Sequence, residues 1–159
     1  QKQFAAFYQK RKDIETMNTD TRELLKECSA GCRMAVQNLN QIMDFAENEK
    51  LKDMILKYKE EHIHIEEETE KILKECKESG KEPGLLAEAF AKITTEMKLM
   101  LKSDSGQIAK LLMDGCNMGV QSIEEAIHKY GGASGETKEL AEKIVRLEET
   151  MVQDLKQFL

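Results

Sequence analysis

Tryptophan is absent, proline occurs once and aromatic residues make up 5 % of the chain, while charged residues make up 34 %. So few helix breakers and so many charges suit long, solvated helices, and no stretch reads as a strand; the expected fold class is all-α. No apolar run approaches the roughly 20 residues that cross a bilayer, and the N-terminal segment lacks the apolar core of a signal peptide, so no membrane partner is expected. A concentrated basic face is also missing. The 24 lysines and arginines against 30 aspartates and glutamates leave a net charge of −6, which argues against the phosphate-backbone contacts of nucleic-acid binding. Neither a serine, histidine and aspartate set nor a glycine-rich loop after a strand is present, so an enzyme is not the first expectation. The four cysteines include two that stand four residues apart on one helix, in a chain of 159 residues able to bury its own core. That is not the framework of a secreted disulfide protein, and the cytoplasm is the expected compartment.

What the chain does have is a repeat. Gly31 to Gln37, GCRMAVQ, returns as Gly115 to Gln121, GCNMGVQ, 84 residues later. Gly, Cys, Met, Val and Gln recur in the same order, each time on a helical pattern followed by a second, heavily charged one. The chain therefore reads as two copies of a helical hairpin, 20–78 and 105–158. An N-terminal amphipathic helix over 1–19 precedes them and a connector helix over 84–102 joins them.

In the N-terminal helix Phe4, Phe7, Tyr8, Arg11, Ile14 and Met17 form a stripe at spacings of three and four. It is expected to pack outside the bundle or against a neighbouring subunit, which points to a homo-oligomer, with a membrane surface as the lesser alternative. Asp20 and Glu23 fit a capping box that opens the first long helix. Its inner face carries Leu25, Cys28, Cys32, Ala35, Val36, Leu39, Met43 and Ala46 at the 3.6-residue period. The second helix follows a break at Asn48 and turns Leu51, Met54, Ile55, Tyr58, His62, Ile65, Thr69, Ile72, Leu73 and Cys76 inward. Glu66, Glu67 and Glu68 are expected on a solvated face, and the segment 79–84, SGKEPG, ends the first copy. The connector presents Leu86, Phe90, Ile93, Met97 and Leu101. Asp104 and its neighbours supply capping for the third helix, whose inner face holds Ile108, Leu112, Cys116, Gly119, Ile123, Ile127 and Tyr130. The fourth begins after Ser134, with Ala141, Ile144, Glu148, Met151 and Leu155 inward. Gly115 and Gly119 are expected to let helices approach closely, and the nine methionines to fill core gaps.

Two hairpins joined by one long crossover describe a four-helix bundle that would carry Cys32, His62, Cys116 and Glu148 at mid-height. In helix order, repeat and register the chain resembles the ferritin-like superfamily over roughly residues 20–159. Within it the chain is most similar to small rubrerythrin-related bundles with an extra crossover helix. The resemblance implies a ferritin-like fold. It sets Cys32 and Cys116 where the family has its lone glutamates, and His62 with Ile65 and Glu148 with Met151 at the two Glu-x-x-His positions. Only Glu148 keeps the family residue. One carboxylate is too few for two hard metal ions, so di-iron and its oxygen chemistry are not expected. The nearby Glu61-x-x-His64 does not restore the motif, because that register would turn Glu68 inward and Ile65 outward.

Three readings of these positions stay open. Cys32, His62, Cys116 and Glu148 close around a single zinc ion, or around copper with Met151 added. Alternatively the cysteines are small core residues, no cofactor is held, and His62 pairs with Glu148 as a buried polar couple. In the third, Cys32 and Cys116 face one another and oxidise to a bridge. Cys28 and Cys32 are a weaker candidate pair. The expected function is a non-enzymatic ferritin-like bundle, without the di-iron site, acting through binding or assembly; the alternative is a metal-binding or thiol-redox protein.

Overall fold

The first turn of a helix leaves backbone N–H groups without partners, and each long helix of this chain begins beside a short polar side chain that meets that need. Asn18 accepts from the Thr21 N–H at 2.8 Å and Asn48 from that of Leu51 at 3.1 Å. Asp104 accepts from Gln107 at 3.1 Å and Ser134 from Thr137 at 3.2 Å. The computed structural model describes residues 1–15, 17–76, 80 and 104–159. It comprises α1 (Lys2–Glu15), α2 (Thr19–Met43), α3 (Glu49–Glu75), α4 (Ser105–Lys129), α5 (Gly135–Leu155) and a closing 3₁₀ turn, Lys156–Phe158. No strand occurs among the described residues, and the fold is all-α. The connector expected over 84–102 lies outside them. The cap of α2 is Asn18, not Asp20, whose carboxylate is drawn to a different partner: it accepts from the Gly132 N–H at 2.8 Å.

That bond belongs to a tie between the start of α2 and the α4–α5 turn. The Asn18 amide donates to the Gly132 carbonyl at 2.9 Å, and the Ser134 N–H donates to Thr21 Oγ1 at 2.9 Å. α3 runs against α5 in the opposite sense, as three polar contacts show: Tyr58 with Asp154, His62 with Glu148, and Glu68 with Lys143. Together these place α2 parallel to α5 and antiparallel to both α3 and α4. The end of α3 and the start of α4 fall at opposite ends of the bundle.

The apolar stripes meet in one core. Leu24, Leu25, Leu51, Leu73, Ala141 and Leu155 have no exposed surface, with Ile55, Ile108, Ile144 and Met151 almost as deeply set. Each large apolar side chain so buried stabilises the fold by about 1.5–3 kcal/mol. Of the α1 stripe, Phe4, Phe7 and Tyr8 are all well exposed and stand outside this core. On the other flank, Arg33 of α2 bridges Glu66 at 3.0 Å and Glu70 at 2.8 Å on α3. Glu66 is therefore part of an interhelical ion cluster, and only Glu67 and Glu68 of its run are exposed.

Replacing Asn18 removes both a cap and a bond to the distant Gly132 carbonyl. Asn18→Ala should lower the unfolding free energy by about 1–2 kcal/mol in urea titration with the slope unchanged; an unaltered midpoint would show that neither bond matters.

Candidate functional site

His62 points inward from α3 and donates from Nδ1 to the Tyr58 carbonyl one turn earlier, at 2.7 Å. A carbonyl can only accept, so Nδ1 carries a hydrogen and the ring is held with Nε2 toward α5. There it meets Glu148 Oε1 at 2.6 Å. The Cys116 thiol of α4 is near enough to feel the charge of Glu148. His62 and Glu148 are the only buried ionisable acid or base side chains among the described residues, leaving aside the cysteines and Tyr58. Burial by itself lowers the pKa of His62. The hydrogen bond and charge of Glu148, the Tyr58 carbonyl and the charge of Glu61 outweigh it, and the net shift is upward.

The cysteines lie deeper than a reactive thiol needs to be. Burial, with the charge of Glu27, pushes Cys28 up to about 12. Burial raises Cys32 further, with Cys28, Glu148 and Glu66 adding to it, and raises Cys116, where the charge of Glu148 adds. Nucleophilic attack and metal binding both use the thiolate, which this surrounding disfavours. Cys28, Cys32 and Cys116 are free thiols, with no bridge between Cys32 and Cys116.

His62, Cys116, Glu148 and Met151 all line one cavity of about 330 Å³; Cys32 is fully buried and is not on its wall. Among the described residues no three histidine, cysteine, aspartate or glutamate side chains are arranged to hold a metal ion. Nor does the donor set suit the di-iron centre of the ferritin-like resemblance, since Glu148 is the one buried carboxylate among the described residues and it is bonded to His62.

The cavity itself is the feature that periodicity did not foretell. α2 contributes Gly31, Met34, Ala35 and Asn38, and α4 contributes Gly115, Met118, Gly119 and Ser122. These are the same four positions of the repeat, 84 residues apart. Leu39, Ile42, Leu111, Leu112, Ile123 and Ile144 complete an apolar lining, with the exposed Asp114 at the edge. The expectation of close helix approach at the glycines is corrected. A Cβ on Gly115 would meet nothing within 4 Å, and one on Gly119 would meet Glu148 Cδ at an ordinary 3.5 Å. Of the three glycines lining the cavity only Gly31 is tight, its Cβ position 3.3 Å from Ile123 Cδ1. The signal lay in small residues at matching offsets in both copies, which read equally well as a packing stripe.

No model of a known family matches the chain, and no curated protein matches it. Solved structures do. A conserved hypothetical protein from Mycobacterium tuberculosis superposes with a TM-score of 0.68 over 91 % of this chain and 100 % of its own, at 10 % identity. A DUF305 fragment from Deinococcus radiodurans superposes with 0.64 over 89 % of this chain and 95 % of its own, also at 10 % identity. This chain shares their all-helical fold. Identity this low carries nothing of activity.

Two outcomes follow from the buried groups. The raised folded-state pKa of His62 means that its pairing stabilises the protein fully below its unfolded value of 6.5 and loses that contribution as pH rises through the folded value. The urea midpoint should fall as the pH is raised above about 6.5, and His62→Gln should flatten that part of the profile. In native protein a thiol-directed maleimide should label the half-buried Cys76 first, with Cys28, Cys32 and Cys116 labelled only after denaturant is added, as mass spectrometry would show.

Proposed function

We propose that this protein is a non-enzymatic, ferritin-like bundle, built from two duplicated hairpins and lacking the di-iron carboxylate site, that binds a small apolar molecule in the cavity beside His62 and Glu148. The observation that carries the reading is the cavity: about 330 Å³, apolar over most of its wall, with the bonded pair His62 and Glu148 on it. Binding sites for small molecules have this make-up, at roughly 300–1,000 Å³. Its walls come from matching positions of the two repeat copies, as a site formed by duplication would. The exposed Phe4, Phe7 and Tyr8 of α1 offer the apolar surface for the homo-oligomer that belongs to the same reading. A metal or thiol-redox role is less favoured, because the thiols are held protonated and the carboxylate is already bonded.

The test is calorimetric titration of the full chain with 1-octanol. Binding of one molecule per chain is expected, and its loss in Gly115→Leu, which places a side chain where a Cβ has open space. Leucine is a better helix former than glycine by about 0.8–1 kcal/mol, so the variant should be at least as stable and the loss assignable to the filled cavity. No binding by the parent chain overturns the reading.

A further inference from the structure

The reading of the cavity as a binding site leaves its ligand unspecified, and the polar groups at its floor narrow the choice. At the His62–Glu148 pair the donors are already committed: His62 Nδ1–H serves the Tyr58 carbonyl and Nε2 faces Glu148. The acceptors are not exhausted: a carboxylate has about four lone-pair positions, and His62 takes one of those on Glu148. A head group arriving at this floor therefore has to donate.

Charge narrows it further. The cavity wall contains two carboxylates, Glu148 within and Asp114 at the edge, and no lysine or arginine. The one basic side chain, His62, is already paired with Glu148. With His62 and Glu148 compensating one another, Asp114 leaves the wall net negative; an anionic head would find no free cation to receive it, whereas an ammonium finds carboxylate acceptors at both Glu148 and Asp114. The thioethers of Met34, Met118 and Met151 and the aliphatic wall suit a hydrocarbon tail. The whole chain adds a net charge of −6, which favours the approach of a cation.

We infer that the cavity binds a small primary aliphatic amine, its ammonium hydrogen-bonded to Glu148 and its hydrocarbon tail lying between α2 and α4. This rests on the cavity being a binding site at all, and the experiment separates the two. Octylamine, 1-octanol and octanoate share a chain length and differ at the head. In calorimetric titration of the full chain near neutral pH, octylamine should bind one per chain and at least about tenfold more tightly than octanol, as expected of a charge-assisted hydrogen bond. Octanoate should bind more weakly than octanol. Glu148→Gln should abolish the preference for the amine and leave octanol binding in place. Should that variant fail to fold, Asp114→Asn, on the exposed edge, should reduce the preference more modestly while octanol binding is kept. Octanol binding as tightly as octylamine, or octanoate binding best, overturns the amine assignment and leaves the apolar site standing. Failure of all three ligands overturns the site itself.

Discussion

A carboxylate inside a helical core is expensive unless it is bonded, and the placement of Glu148 sets conditions that much of the bundle then satisfies. Its partner must come from another helix, and His62 of α3 supplies it, with Nε2 2.6 Å from Glu148 Oε1. The imidazole must present one particular nitrogen, which the Tyr58 carbonyl secures by engaging the other. α4 must also make room for it, which Gly119 does, a Cβ there standing 3.5 Å from Glu148 Cδ. Three helices thus converge on one side chain.

Apolar stripes specify that the helices pack but only loosely specify how far each slides along its neighbour. Directional bonds supply what the stripes leave open. Between α3 and α5 the series Tyr58 to Asp154, His62 to Glu148 and Lys143 to Glu68 allows a single register. Between α2 and α3 the guanidinium of Arg33 does the same by spanning Glu66 and Glu70 on successive turns. Between α2 and the α4–α5 turn, the bonds of Asn18, Asp20 and Thr21 fix one end. With alignment fixed this way, the small residues of α2 and α4 face each other and leave a cavity open.

Local chemistry in the sequence was readable where it was periodic. The inner faces over Leu51 to Leu73 and Ala141 to Leu155 follow from spacing alone, because an inward position on a straight helix repeats every three or four residues. The pairing of His62 with Glu148 was one of three open readings, since the same residues at the same height serve a metal equally well on paper. Long-range bonds were not readable. Asp20 beside Glu23 looks like a capping box, and only its closeness to Gly132, more than a hundred residues away, moves the cap to Asn18. Empty space was the least readable: a glycine such as Gly115 looks the same in a sequence whether a neighbouring helix presses on it or nothing does.

The contacts between α3 and α5 are arranged about a centre. Tyr58 with Asp154 lies to one side of the pair His62 and Glu148, and Glu68 with Lys143 lies at a similar distance to the other. Two identical side chains at that central pair, two carboxylates or two imidazoliums, would set like charges 2.6 Å apart in a buried place, where they repel strongly. Having one acid and one base there avoids the repulsion. It also gives the cavity above them a polarity that a symmetric bundle cannot have, with a distinct acidic side and a distinct basic side.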